Sequence, residues 1–313
     1  MQVAIPMALG IFLMWYVYAQ YTPEQRGEVF SQFKNANYGV VIIAVLMSAL
    51  SHLLRAYRWN FMLAPLGYQP QLANNFMAVC VAYLMNLFIP KSGEISRAAV
   101  LDKYEKVPFE KGFGTIVSER IVDLIFLLIF TLVALFLQFD LLYEYLTNIV
   151  PVKKIGISIG ILVLLFGLFL LFLKYSKGVI SNKIKSLFTG LKAGVFSILK
   201  MEKKGLFILY SLLIWLLYIS SFYVSTYALA ETTGIDFGII IITFVVGSFT
   251  FAFTNSGFGY YQVAIAGILM VFGVPETVGT ALGWIVWGSN IVYILLAGGI
   301  SFILLPIYNR KRL

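Results

Sequence analysis

Two polar clusters interrupt an otherwise apolar chain, and the first holds most of the chemistry. It runs Asn86-Leu87-Phe88-Ile89-Pro90-Lys91-Ser92-Gly93-Glu94-Ile95-Ser96-Arg97 and is followed by Ser118-Glu119-Arg120-Ile121-Val122-Asp123. Glu94 is three residues from both Lys91 and Arg97, and Asp123 is three from Arg120 and four from Glu119, so each set shares a helix face. Lys91 and Arg97 are suited to a phosphate, while Glu94, Glu119 and Asp123 can accept from amino or hydroxyl groups or carry coupling protons. Lys91, Arg97 and Arg120 balance Glu94, Glu119 and Asp123, three against three. On that count a zwitterionic or aminoacylated group is as acceptable as a simple anion. The second cluster, Thr254-Asn255-Ser256-Gly257-Phe258-Gly259, carries no formal charge. Gly93, Gly257 and Gly259 are the residues expected to permit a break in the backbone.

The elements that must position these groups are membrane helices. In 313 residues, 60% are hydrophobic and 12% charged, with a mean hydropathy of +0.90; a soluble two-domain enzyme is excluded. One cysteine, Cys80, and one histidine, His52, leave no disulfide framework, no Cys/His metal cluster and no His-based triad, and no cofactor is expected. A bilayer core of about 30 Å calls for roughly 20 predominantly apolar residues per helix. Six full spans are predicted near 3–19, 39–54, 113–137, 155–173, 206–229 and 279–304. The first lacks leading basic residues and a cleavage site, and is read as a retained span.

Two further apolar stretches, 72–89 and 238–253, run into the polar clusters, where Pro90, Gly93, Asn255, Ser256 and Gly257 stop one helix and Ser92 can cap the next. Each is read as a broken, re-entrant helix pair that leaves on the face it entered. Charge supports this: 16 of 23 basic residues then fall on one side, including Arg55, Arg58 and eight lysines in 174–204. By the positive-inside rule both termini are cytoplasmic. The order span, span, broken pair, span over 3–137 recurs with opposite orientation over 155–304. The expectation is an all-α polytopic protein, one integral membrane domain over 1–313 in two inverted-topology repeats, with binding where the breaks meet.

An ionised side chain at the centre of a membrane helix costs about 2.5–3.5 kcal/mol on insertion scales, whereas a pair on one helix face returns about 0.2–0.5 kcal/mol. The charges therefore line a hydrated cavity or meet a polar ligand, unless the cluster is a juxtamembrane loop of surface salt bridges. A half-helix starting near Ser92 would aim free N–H groups and a positive dipole end into the membrane, which suits phosphate or carboxylate.

Arg55-Ala56-Tyr57-Arg58-Trp59, the run from Asn86 through Pro90-Lys91-Ser92-Gly93-Glu94 to Arg97, and Glu119-Arg120 with Asp123 together resemble the transmembrane domain of bacterial lysylphosphatidylglycerol synthases/flippases. The likeness covers essentially the whole chain and is more specific in its first half. It implies a lipid transporter or flippase in the bacterial cytoplasmic membrane; the expected ligand is a phospholipid or polyprenyl-phosphate-type headgroup. With no soluble catalytic domain after Leu305, it argues against a synthase. The second half departs from the family's Gly-Gly-x-Gly-x-x-Glu pattern: Gln262 holds the acidic position of Ser256-Gly257-Phe258-Gly259-Tyr260-Tyr261-Gln262. A common arginine of the last span gives way near Gly288, with Asn290 close by. Binding in this half is then expected through Asn255, backbone groups, Gln262 and the faces of Tyr260 and Tyr261, which brings sugar headgroups into range.

Other features carry bland readings beside functional ones. His52 is read as a packing histidine over a proton relay. Arg55, Arg58 and Trp59 are expected at the lipid interface, gripping phosphates or anchoring the span. The 174–204 segment reads equally as an amphipathic helix on an anionic leaflet or as a basic linker. Gly156, Gly160, Gly167, Gly279 and Gly283 allow close helix approach. No nucleic acid is expected as a partner. The rivals to transport are an integral-membrane enzyme using Glu94 or Asp123 as a general base, and a non-transporting member of a lipid-modifying complex; a second copy of the chain is the other protein partner left open.

Overall fold

The computed structural model describes residues 11–12, 15–139, 167, 201–254 and 256–310. Nearly all of the span expected at 155–173 and of 174–204, and Asn255, lie outside these residues, as does much of 3–19. The described elements are helical: α1 Pro23–Asn35, α2 Tyr38–Leu63, α3 Leu72–Phe88, α4 Gly93–Glu105, α5 Phe109–Leu137, α6 Lys204–Ser225, α7 Phe237–Phe253, α8 Tyr260–Val271 and α9 Glu276–Tyr308. Starts follow local chemistry. Thr22 and Gln25 form a capping box on α1, Asn37 accepts from the first amides of α2, and Asp236 accepts from Gly238 at the head of α7.

Four segments are long and apolar enough to cross a membrane: Tyr38–Leu66, Phe109–Leu137, Lys204–Ala228 and Glu276–Tyr308. They coincide with four of the six expected spans. Their amphipathicity is inside out. On α2, Ser48, Ser51, His52, Arg55 and Arg58 are buried while Ile42, Ile43, Leu46 and Leu50 are exposed. Lipid solvates an apolar exterior, so burial here selects polar groups that need protein partners.

The two broken regions form helical hairpins. Gln71 N and Asn74 Nδ2 both donate to Glu105, and at the other end Gly93 N donates to Asn86 Oδ1 at 2.8 Å, so α3 and α4 run antiparallel. A Cβ on Gly93 would sit 2.8 Å from Asn86 Cγ, which explains the glycine by close approach. The bend itself falls on Lys91, with φ 60°. In the second hairpin Gly247 meets Tyr261 and Ile265, and the turn uses positive φ at Ser256, Gly257 and Gly259.

The hairpins come from opposite ends of the bundle. The open end of α3/α4 lies beside the end of α9, through Asn74 and Asn309, and beside the start of α5, where Lys111 Nζ donates to Tyr68. The open end of α7/α8 lies beside the end of α5, where Gln138 Nε2 donates to Asp236. The tips meet: Lys91 Nζ donates to Ala252 O at 2.8 Å and Ser256 Oγ to Asn86 O at 3.3 Å. With 17 residues, α3 and α7 are each about 25 Å long at 1.5 Å per residue, short of a full crossing. Gly279 and Gly283 do allow close approach: a Cβ on either would lie 2.9 Å from a Cα of α8, that of Ala266 or Gln262, and Gly298 does the same against Cys80 and Leu84 of α3.

Candidate functional site

The charged residues of the first half converge from three helices. Arg55 and Arg58 on α2, Arg97 on α4, and Glu119, Arg120 and Asp123 on α5 form one network with Glu94 at the start of α4. Glu119 is at its centre: it accepts a short hydrogen bond from Arg55, a bidentate pair from Arg97 at 3.0 and 3.0 Å, and lies 3.2 Å from Arg58 Nη2. Asp123 accepts from Arg55 at 2.8 Å, Arg58 at 3.1 Å and Arg120 at 3.4 Å. Arg120 Nε is 3.3 Å from Glu94. Aromatic and hydroxyl groups complete the set: Arg97 stacks 3.8 Å from the Trp59 ring centroid, Trp59 Nε1 donates to Thr115, Arg58 to Ser211 and Arg55 to Tyr218.

The network has two layers. Arg58, Arg97 and Glu119 are 0%, 1% and 0% exposed and are closed off behind the others. Arg55, Lys91, Glu94, Arg120 and Asp123 line a cavity of about 480 Å³ between the hairpin tips and the long helices. Among the described residues, its charged lining comes from the first half of the chain. The second half supplies Trp215, Tyr218, Phe222, Phe244, Phe251 and Tyr261, with Ser221, Ser248, Thr254, Ser256 and Asn290. One carboxylate oxygen, Glu94 Oε2, is enclosed and has no hydrogen-bond partner among the described residues. The cavity wall therefore offers cations for an anion, an unsatisfied acceptor for a hydroxyl or ammonium donor, and aromatic faces for an apolar or sugar ring.

Several expectations are corrected by this arrangement. Arg55, Arg58 and Trp59 are not interfacial anchors: all three are at most 2% exposed, because α2 turns its polar stripe inward to meet the carboxylates of α5. Arg55 and Arg58 accordingly leave the cytoplasmic charge count. The balance of three against three becomes five cations, Arg55, Arg58, Lys91, Arg97 and Arg120, against three carboxylates, Glu94, Glu119 and Asp123, a net of +2. Ser92 does not cap α4; its hydroxyl donates back to Met85 O and Ile89 O. Asn86 takes the first amide instead, from across the hairpin. Arg97 and Glu119 support the cavity from behind and do not line it.

Of the other expected residues, Asn86, Lys91, Glu94, Arg120, Asp123, Tyr261 and Asn290 are on the cavity wall, whereas Gly257, Gly259, Tyr260 and Gln262 are not. Gln262 is buried where Gly283 crosses α8, and its amide has no partner among the described residues. Asn290 Nδ2 is turned to Val286 O of its own helix. His52 packs as expected, stacked 4.3 Å from the Tyr83 ring and 3.2 Å from the Tyr293 hydroxyl, yet it also lines the cavity. Tyr83, Trp215, Tyr218, Ser48 and Ser221 were not foreseen. The signal for Ser48 was the Ser48, Ser51/His52, Arg55, Arg58/Trp59 spacing of α2; aromatic residues of α6 carry no comparable mark in a helix that has no charge after Lys204.

Fold and site together define a multi-pass helical membrane protein with a charged interior. The chain belongs to the family described as the lysylphosphatidylglycerol synthase TM region, whose profile matches residues 3–299. It is similar to a UPF0104 membrane protein of Methanocaldococcus jannaschii, with 35% identity over 101 residues, covering 31% of this chain and 30% of that protein. It is also similar to the glycosyltransferase AglD of Haloferax volcanii, with 29% identity over 99 residues, covering 31% of this chain and 16% of that protein. The chain thus spans less than a third of the length of these relatives. No solved structure matches it.

Proposed function

We propose that this protein is a lipid transporter that carries a phosphate-bearing headgroup across the cytoplasmic membrane and leaves the lipid chemically unchanged. The observation that carries the reading is the cavity where the hairpin tips meet, with the charged residues of one half facing the aromatic residues of the other. The net positive charge favours an anionic headgroup, with Lys91, Arg55 and Arg120 toward phosphate and Glu94 toward a hydroxyl or amino group. A phospholipid or a polyprenyl phosphate satisfies this chemistry. The family and the helical architecture of the described residues support a lipid-related role in the membrane.

In the same reading the chain is one integral domain of six spans and two re-entrant pairs in inverted repeats, with both termini cytoplasmic. The open end of α3/α4 carries the basic residues Lys103, Lys106, Lys111, Lys203, Lys204 and Arg310, whereas that of α7/α8, beside α1, carries Arg26 and Lys34. The former side would be cytoplasmic. Reconstitution into liposomes with fluorescent phosphatidylglycerol tests transport: the expected result is leaflet exchange that falls at least tenfold in Glu94→Gln/Arg120→Gln. Equal rates for the two proteins would refute the assignment, and a new lipid product by mass spectrometry would replace it with an enzyme.

A further inference from the structure

Beside the charged cavity, on the outer side of the seam between α2 and α9, lies a second hollow of about 590 Å³. Its walls include Ile42, Val45 and Leu46 of α2 and Trp284, Val292 and Leu296 of α9. Ile42, Leu46, Val292 and Leu296 are exposed, so the hollow opens outward on the flank of two helices fit to cross a membrane. A concavity there is bathed in hydrocarbon, and a hydrocarbon chain fills it without stranding a polar group. The same two helices wall the charged cavity from within, through Ser48, His52, Val286 and Asn290.

A side-chain pair bridges the two spaces across this seam. His52 lines the cavity, Tyr293 lines the groove, and His52 Nδ1 is 3.2 Å from the Tyr293 hydroxyl with the rings 5.4 Å apart. The seam between α2 and α6 is fastened more heavily: Ser48 to Ser221, Ser221 to Ala44 O, Arg55 to Tyr218 and Arg58 to Ser211. A headgroup inside the cavity is covalently joined to chains that belong in hydrocarbon, so the cavity has to communicate sideways with the bilayer, and the α2–α9 seam is where an apolar groove already adjoins it.

We propose that the α2–α9 groove seats an acyl chain of the lipid whose headgroup occupies the charged cavity, and that the His52–Tyr293 pair is the gate between them. This rests on the transporter reading, and two measurements separate its failure from that of the groove. In the first, phosphatidylglycerol or phosphatidylcholine brominated in an acyl chain is added as a minor component of liposomes. The contribution of Trp284 to fluorescence is the difference between wild type and Trp284→Phe. Quenching of that contribution at least twofold stronger by the brominated phosphatidylglycerol is expected, with no headgroup preference for a tryptophan placed on the lipid-facing flank of α5 by Phe136→Trp. Equal quenching of Trp284 by both lipids overturns the groove, whether or not the protein transports.

In the second measurement, His52→Cys/Tyr293→Cys in a Cys80→Ala background is bridged with a short bifunctional methanethiosulfonate. Transport is expected to fall at least tenfold and to return on reduction, while the same bridge between Tyr57→Cys and Tyr210→Cys, across the α2–α6 seam and away from the cavity, leaves it unchanged. Undiminished transport with the first pair bridged overturns the gate.

Discussion

Glu119 is the residue whose loss the structure makes most costly. Its carboxylate meets three guanidiniums, those of Arg55, Arg58 and Arg97, and none of the four side chains is more than 3% exposed. Glu119→Gln keeps the shape and removes the charge, leaving four arginines to two carboxylates in the network without Lys91. Breaking a buried ion pair from one side costs about 3–5 kcal/mol, because the remaining charge stays buried and unpaired. The measurement is reversible SDS unfolding in mixed micelles, read for Glu119→Gln, Arg97→Met and the double variant. The double variant removes the stranded charge along with its partner, so its cost is expected to be below the sum of the single costs by about 1–3 kcal/mol. Glu94→Gln provides the contrast: its side chain is 24% exposed and its partner Arg120 41%, so the change in stability should stay below about 1 kcal/mol. A Glu119→Gln cost under about 1 kcal/mol, or strict additivity with Arg97→Met, would refute the picture of a buried, mutually dependent cluster.

Three further outcomes follow from individual contacts. Asn86→Ala removes the acceptor for the Gly93 amide and should cost about 1 kcal/mol in the same unfolding assay, whereas Asn86→Asp, which keeps an oxygen there, should cost less. Gly298→Val should abolish accumulation of folded protein in the membrane, since a Cβ there would lie 2.6 Å from Leu84 Cβ and 2.9 Å from Cys80 O; Gly299→Val, with nothing within 4 Å, should accumulate normally. Single cysteines at Gly67 and Asp102, in a Cys80→Ala background, should react with an impermeant maleimide from the same face of oriented vesicles and one at Gly234 from the other. Labelling of Gly67→Cys and Asp102→Cys from opposite faces would rule out a returning hairpin.

Hydropathy alone located the four described spans, and Pro90, Gly93 and the Thr254–Gly259 run located the two breaks, because a helix stop is local chemistry. The acids Glu94, Glu119 and Asp123 were legible for a related reason: a carboxylate inside an apolar run is too costly to be incidental. What escaped was determined by partners distant in sequence. Arg55 and Arg58 lie close to the end of an apolar run, where snorkelling is the default, and only the carboxylates of α5, 61 to 68 residues on, turn them inward. The Asn86 cap escaped because its acceptor reaches seven residues across the hairpin, whereas local capping rules look to Ser92. Gly93 was expected to supply the bend; the bend falls on Lys91, and the glycine serves the close passage of α4 past α3.

The two layers of the charged network answer different demands of a hydrophilic site in lipid. Charges that face a ligand must be incompletely paired, since a carboxylate or guanidinium fully satisfied by protein has nothing to offer a headgroup. Incomplete pairing in hydrocarbon is unstable unless something holds the side chains in place. Here Arg97 and Glu119, locked to each other and to Trp59, fix α4 against α5 and α2, while Arg58 ties Asp123 to α6 through Ser211. That inner layer holds Glu94, Arg120 and Arg55 at the cavity wall, with one oxygen of Glu94 left unsatisfied. Among the described residues the second half has no comparable network, and its hairpin meets the first hairpin tip through Lys91 and Ser256, contacts to backbone carbonyls. The long helices, by contrast, tie the two halves through Ser48–Ser221, Arg55–Tyr218 and Arg58–Ser211, so polar fastening between the halves is concentrated along α2 and α6 and is light where the hairpin tips meet.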